Sequence, residues 1–261
     1  KATLSGGLVV SAMKETVKGT VGIVIAVCLA CSIVVSSAAV GLRSMQQTNA
    51  ALDKQSNIVD AAGLTEKAAG DIAGTFNKYV EEKFIDLATG QYVEKPAENY
   101  DMYKAAKDPD YTVKVTGSNV GFQQRASIAS VYVVKNDAGD VSRIILPVHG
   151  SGLWDLMYGF LAIDADGNTV RELIYYQHKE TPGLGGEVQN PSWKAKWNDK
   201  QLFSQGEIAI QVKKNANPSD PHAVDALSGA TLTSNGVQNT LSYWLGKNGY
   251  GPYLKNQTWK S

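Results

Sequence analysis

Cysteine is scarce in this chain of 261 residues: there are two, Cys28 and Cys31. Both lie inside an apolar run, so no disulfide staples the remainder, which must fold on its core alone. Within such a run, Cys28-x-x-Cys31 reads as two packed thiols rather than a redox pair. Histidine is rare too. His149, His178 and His222 show no metal-binding spacing, and without cysteines outside the run a zinc or iron–sulfur site lacks ligands. No sign of charge dominates: Lys+Arg and Asp+Glu both number 25. That leaves no basic excess for binding nucleic acid. Neither GxxxxGK[ST] nor GxSxG occurs. Gly183-Leu184-Gly185-Gly186 opens like a dinucleotide loop, but Val188 stands where GxGxxG needs its last glycine.

What the chain does have is one long apolar run. Residues 19–42, GTVGIVIAVCLACSIVVSSAAVGL, hold no charge over 24 residues. At ~1.5 Å rise per residue they exceed the ~30 Å hydrocarbon core of a bilayer. The run is also longer than the ~7–15-residue core of a cleavable signal peptide. A lipoprotein signal does not fit, because Cys-Leu-Ala precedes Cys31 and the run continues past it. A transmembrane helix over 19–42 in a lipid bilayer is therefore expected. Its small residues, among them Ala30, Ser32, Ser36 and Gly41, would let another membrane helix approach closely. Lys14 and Lys18 precede the run; Arg43 follows it, and the next basic residue is Lys54. This bias favours a cytoplasmic N-terminus, which puts the long C-terminal part outside the cytoplasm. Residues 1–18 are then a cytoplasmic tail; 1–13 look unlike the rest and are read as an upstream extension, with Met13 a candidate natural start.

Residues 44–83 read as helices broken at Gly63 and Gly70, with Leu52, Ile58, Val59, Ile72, Phe76 and Val80 as apolar anchors. A helical connector over 43–95 and a soluble domain over 96–261 follow. Residues 94–120 are polar and irregular, with Pro96 and Pro109. Ser127–Lys135 and Val141–Val148 flank a turn at 136–140, and Leu156–Ile163 and Thr169–Gln177 flank another at 164–168, so two hairpins are expected. Ile208–Val212 reads as a short strand. Val237, Leu241, Trp244 and Leu245 fall at i, i+4, i+7 and i+8, one apolar face of a helix. The predicted fold class is α+β: one transmembrane helix, then a mainly antiparallel sheet with flanking helices.

Small and hydroxylic residues precede that last helix: Asp225-Ala226-Leu227-Ser228-Gly229-Ala230-Thr231-Leu232-Thr233-Ser234. They fit a helix N-cap with a glycine turn. On these residues alone that is the favoured reading, but the same physics admits a phosphate site, since free N–H groups and the helix dipole favour an anion there. Gly229 and Ala230 leave the approach to the Thr231 hydroxyl unhindered.

Asp225-x-x-Ser228-Gly229-Ala230-Thr231 resembles the signature at which a flavin transferase esterifies FMN, taken from FAD, onto the final Thr or Ser. The longer run SGATLTSNGVQNTLSYWLG resembles the C-subunit family of the Na+-translocating NADH:quinone oxidoreductases. So do GIVIAVCLACSIVVSSAAVGLR, ALDKQSNI, ILPVHGSGLW and ETPGLGGEVQNPSWKAKW. The G subunit of Rnf-type electron-transport complexes shares the attachment signature and an ETPGLG-like loop. The downstream match, including Gly249-Tyr250-Gly251-Pro252, favours the former family. A membrane-tethered flavin-binding sensor is open on fold alone; the whole-length resemblance speaks against it.

The resemblance implies FMN as a covalent phosphoester on Thr231, with Asp225, Ser228, Gly229 and Ala230 completing the signature. It implies that Glu180, Thr181, Leu184 and Gly185 form a loop beside the isoalloxazine, with Trp154 a further ring contact. It further implies an FMN-binding domain on the periplasmic side of a bacterial inner membrane. The function implied is relay of electrons inside a pump that passes them from NADH to ubiquinone and moves Na+. The partners implied are the other integral membrane and redox subunits of a six-subunit assembly, and the flavin transferase during maturation. His149 is expected to be structural.

Overall fold

The computed structural model describes residues 17–260, the Gln47 side chain excepted. Most of the expected tail, 1–16, lies outside the described residues. The chain divides into two compact units, Lys1–Ala51 and Leu52–Ser261. The first helix, α1, runs over Val17–Ala61 without a break at Arg43. Its apolar stretch is exposed on every side, with Ile23, Val24, Ile25, Val27, Leu29, Ile33 and Val34 all more than half accessible.

The helix stops where glycine permits a left-handed residue. Gly63 has φ 67° and its N–H donates to the Asp60 carbonyl. A short helix α2 (Thr65–Ala68) follows, and Gly70, φ 96°, separates it from α3 (Ile72–Tyr79). The Asp71 carboxylate caps α3 by accepting from the Gly74 N–H at 2.8 Å, one of the donors a helix start leaves unpaired.

From Val80 the chain is strand, which corrects the helix expected to residue 83. The main sheet has six strands: β1 (Val80–Asp86), β2 (Tyr92–Val93), β3 (Ile128–Lys135), β4 (Val141–Ser151), β5 (Leu156–Asp164) and β6 (Val170–Gln177). Their order is β2-β1-β3-β4-β5-β6 and every pairing is antiparallel. Both expected hairpins are present. Strands β1 and β2 precede residue 96 and belong to the same sheet.

Alternation divides the core between the two faces of the sheet. Ile144, Leu146 and Val148 of β4 join Leu161, Ile163 and Leu173 on one face. Ile145 joins Tyr132, Phe160, Ala162 and Ile174 on the other. Ile58 and Ala61, from the end of α1, and Phe76 of α3 cover this second face. The expected strand over 208–212 is corrected: Glu207–Ile208 pairs back on Phe203–Ser204. Strand β7 (Gln211–Lys213) instead runs parallel to β8 (Ala223–Asp225).

Helix α4 (Thr231–Trp244) covers the first face and starts six residues before Val237, where the apolar periodicity begins. Val237, Leu241 and Trp244 are fully buried. The helix lies very close to β4. The space a Cβ would fill at Gly236 is taken by the Ser151 carbonyl, and the space at Gly150 by the Thr240 hydroxyl. Trp244 Nε1 donates to the His149 carbonyl at 2.7 Å. A last helix, α5, covers Gly251–Asn256, and Tyr250 just before it donates to the Pro147 carbonyl at 2.7 Å.

Candidate functional site

The first turn of α4, the loop after β4 and the loop after β6 meet at one place. Approaching α4, the chain leaves β8 at Asp225 and curls back on the helix. The Leu227 N–H donates to Ser234 Oγ at 3.0 Å, and Ser234 Oγ donates to the Ala230 carbonyl at 3.0 Å. Gly229 has φ 70°, where a Cβ would be strained and would stand 3.1 Å from Leu184 Cδ2. Glycine thus lets the turn close and lets Leu184 reach across it. Ser228 and Gly229 are exposed and Ala230 is buried.

Three hydroxyls follow within four residues, in three different states. Thr231, the first residue of α4, is exposed, and its hydroxyl has no hydrogen-bond partner among the described residues. Thr233 is 1% exposed and donates its hydroxyl to the Glu180 carboxylate. Ser234 is buried and tied to Leu227 and Ala230 as above. No side chain caps the helix start, so the N–H groups of its first turn remain available to an anion.

Exposed apolar groups surround this turn. Trp154 is 67% exposed, Leu232 59%, Leu153 49% and Leu184 45%. Trp154 Nε1 donates to Thr181 Oγ1 at 3.2 Å, which ties the indole to the loop after β6. That loop folds on itself, with the Leu184 and Gly186 N–H groups donating to the Thr181 carbonyl. Gly185 is buried. Glu180 lies beneath the loop, not on its surface: it is 5% exposed. The N–H groups of Leu153 and Trp154 donate to its Oε1, both at 3.0 Å.

Asp225 organises the approach to the turn. Its carboxylate accepts from Lys196 Nζ at 3.2 Å and from the Ala216 N–H at 3.4 Å. Its carbonyl accepts from Trp193 Nε1 at 2.9 Å. Burial works to raise the carboxyl, but the Lys196 hydrogen bond and charge and the backbone N–H groups of Ala216 and Asn215 outweigh it and leave it lowered. Lys179 and Asp155 pair at 2.5 Å across the two loops.

The structure therefore brings Trp154, Glu180, Thr181, Leu184, Gly185, Gly229, Ala230 and Thr231 together. Asp225 and Ser228 sit on the approach to the turn. Sequence reasoning missed Leu153, Leu232, Thr233 and Lys196. Thr233 alone left a signal, as a hydroxyl two residues past Thr231; the carboxylate that holds it lies 53 positions away. His149 is apart from this site, buried among Phe122, Tyr158, Tyr103 and Trp244. A concavity of about 850 Å³ lies between α5 and residues 203–208, and none of the site residues lines it.

Residues 152–246 match the family model of the FMN-binding domain. The C subunit of the Na(+)-translocating NADH-quinone reductase of Vibrio vulnificus is 50% identical over 248 residues, covering 93% of this chain and 96% of that protein. The protein of the same name from Neisseria meningitidis is 46% identical over 244 residues, covering 92% of this chain and 94% of that one. Among solved structures, Shewanella oneidensis NqrC superposes with a TM-score of 0.68 at 33% identity, covering 71% of this chain and 87% of that chain. The C-subunit structure from Parabacteroides distasonis gives 0.62 at 28% identity, covering 82% and 96%.

Proposed function

The chain belongs to the C-subunit family of the Na(+)-translocating NADH-quinone reductases, and we propose that it relays electrons within such a complex through FMN esterified to Thr231. One observation carries the choice of residue. Of the three hydroxyls at the start of α4, that of Thr231 is exposed and unpartnered, while those of Thr233 and Ser234 are buried and engaged.

The residues present fit the group. The open first turn of α4 suits a phosphate, and Trp154, Leu184 and Leu232 offer apolar surface to an aromatic ring. The site is a surface rather than an enclosed cleft, whereas cofactors held without a covalent bond mostly sit in cavities. A tether relieves the surface of supplying all the affinity. FMN held there supplies reversible uptake and release of electrons. The chain's own residues would hold it: Thr231 by the ester, the N–H groups of α4 by hydrogen bonds to phosphate, and Trp154 with Leu184 by contact with the ring. Asp225, with Ser228, shapes the turn that the transferase reads.

The apolar stretch of α1 has the length and composition to cross a membrane. We take it to anchor the chain in the inner membrane beside the other subunits, with the FMN-binding unit on the periplasmic side. The test is ultraviolet fluorescence of the SDS-denatured band, followed by mass analysis of the peptide carrying residues 225–240. FMN mass on Thr231 is expected. FMN on Thr233 or Ser234, with Thr231 bare, would sink the assignment.

A further inference from the structure

A carboxylate that is 5% exposed must have its oxygens paired, since an unpaired buried charge is costly. Glu180 divides its oxygens between two other segments. Oε1 accepts the N–H groups of Leu153 and Trp154, both at 3.0 Å; Oε2 accepts the Thr233 hydroxyl. Its own N–H donates to His178 Nδ1 at 3.1 Å. Two glycines make room. A Cβ at Gly152 would stand 2.5 Å from Oε1, and one at Gly185 would stand 2.5 Å from both Oε2 and Thr233 Oγ1. One side chain thus joins three stretches far apart in sequence: 152–154, 180–185 and 231–233. Those stretches carry the exposed apolar groups around Thr231.

We propose that Glu180 is a positioning residue for flavin attachment, its carboxylate docking the Trp154 loop onto the first turn of α4 so that the Thr231 hydroxyl stands beside a preformed apolar platform. The proposal rests on the flavin reading above. In the transfer, the Thr231 Oγ–P bond forms as a P–O bond of the FAD pyrophosphate breaks. AMP departs, and the hydroxyl proton passes to a base on the transferase or to water. Glu180 takes no part in that exchange, because its oxygens are turned to Leu153, Trp154 and Thr233 and none bonds the Thr231 hydroxyl. Its contribution is geometric, and geometry ranks substitutions differently from charge. Glu180→Gln keeps the length and an oxygen for both N–H groups, and its amide can donate to Thr233. Glu180→Asp keeps the charge but is one methylene short of spanning the gap.

The test uses the full chain in membranes, with the transferase and FAD supplied. Two quantities are read: the initial rate of FMN incorporation at Thr231 by peptide mass, and amide exchange at Leu153 and Trp154. Losing two or three buried hydrogen bonds predicts that Glu180→Asp and Glu180→Ala load at least about tenfold slower and exchange about tenfold faster. Glu180→Gln should stay within about threefold of the parent. Protection of α4 amides from Val237 to Leu241 reports that each variant is folded. If the Asp and Ala variants fail to fold, Thr233→Ser and Thr233→Ala put the same question from the other end, with Ser expected to load normally and Ala slowly. Normal loading by the folded Ala variants, or a ranking with Asp fast and Gln slow, overturns the proposal and leaves the flavin reading intact. A parent chain that takes no FMN on Thr231 overturns both.

Discussion

Thr231 and Thr233 stand two residues apart at the start of α4, yet one hydroxyl is open to solvent and the other is held by the buried carboxylate of Glu180. Residues i and i+2 of a helix point to nearly opposite sides, at ~100° per residue. With one side of α4 packed on the sheet, a hydroxyl at 231 must face out when the one at 233 faces in. The helix therefore selects one modifiable oxygen among chemically similar neighbours.

Thr231→Ala should remove the covalent flavin and leave the fold intact, because an exposed side chain without partners is lost. The change in unfolding free energy should stay within about 0.5 kcal/mol. Thr231→Ser should keep the flavin. Mass analysis of the 225–240 peptide and thermal unfolding of the same samples check both statements.

Gly236 tests the contact that holds the site. A Cβ there meets the Ser151 backbone carbonyl and comes close to Gly152, and backbone cannot step aside as a side-chain tip can. Gly236→Ala gains helix propensity, worth up to ~1 kcal/mol. The forced separation of α4 from β4 should cost more, about 1–3 kcal/mol. A net drop in the denaturant midpoint is expected; an unchanged or raised midpoint would show that the helix can move away freely.

His149 should make stability depend on pH. Its Nδ1 has no partner, Phe122 stacks on its ring at 4.4 Å, and burial lowers its pKa from 6.5 to about 3. Between these values the unfolded chain binds a proton that the folded one refuses. The residue's full contribution is therefore present above pH 6.5 and is lost as pH falls towards 3, at up to ~1.4 kcal/mol per unit. His149→Phe should shrink the loss of stability between pH 7 and pH 5 by about 2 kcal/mol. Parallel profiles for the two proteins would mean that the ring is not held neutral.

Much of this fold is legible in the sequence because a strand buried on both faces reads as a continuous apolar run bounded by turn residues, as in Ile144, Ile145 and Leu146. β1 escapes such a reading for a physical reason. Ile72, Phe76 and Val80 recur every four residues, and Glu81, Glu82 and Lys83 are good helix formers, so nothing local marks the switch at Val80. Only pairing with β3, from Val80 against Val134 to Asp86 against Ile128, makes it a strand. The same limit hides the bracket at the site. The signature around Thr231 is contiguous and can be read, and the ETPGLG resemblance points to Glu180, but its partners Leu153, Trp154 and Thr233 come together only in the fold.

Topology is expected to follow the charge bias around α1, with Lys14 and Lys18 before the apolar run and little basic charge after it. A reporter fused after Ser261 should behave as exported. A cytoplasmic phenotype would reverse the orientation proposed for the whole FMN-binding unit.

Finally, the chain should relay electrons without substrate chemistry of its own. A phosphoester at Thr231 fixes one end of the flavin, so the ring serves neither as substrate nor as diffusible carrier. A nicotinamide needs a docking site, and Val188 breaks the dinucleotide fingerprint; in the structure the same stretch, Gly185–Gln189, is a 3₁₀ turn rather than the opening of a long helix. Around the exposed platform, Trp154, Thr181 and Leu184 offer no strong acid or base, and the Glu180 carboxylate beneath them is fully engaged. Exposure suits relay, because electrons must pass to neighbouring centres. The purified flavinylated chain should thus be reducible by dithionite yet nearly inert towards NADH and quinol. In the assembled complex, Thr231→Ala should abolish quinone reduction, while oxidation of NADH by an artificial acceptor, where electrons first enter the complex, persists. Oxidation of NADH by the isolated chain on the order of ~10 per second, a rate typical of enzymes, would require abandoning the relay reading.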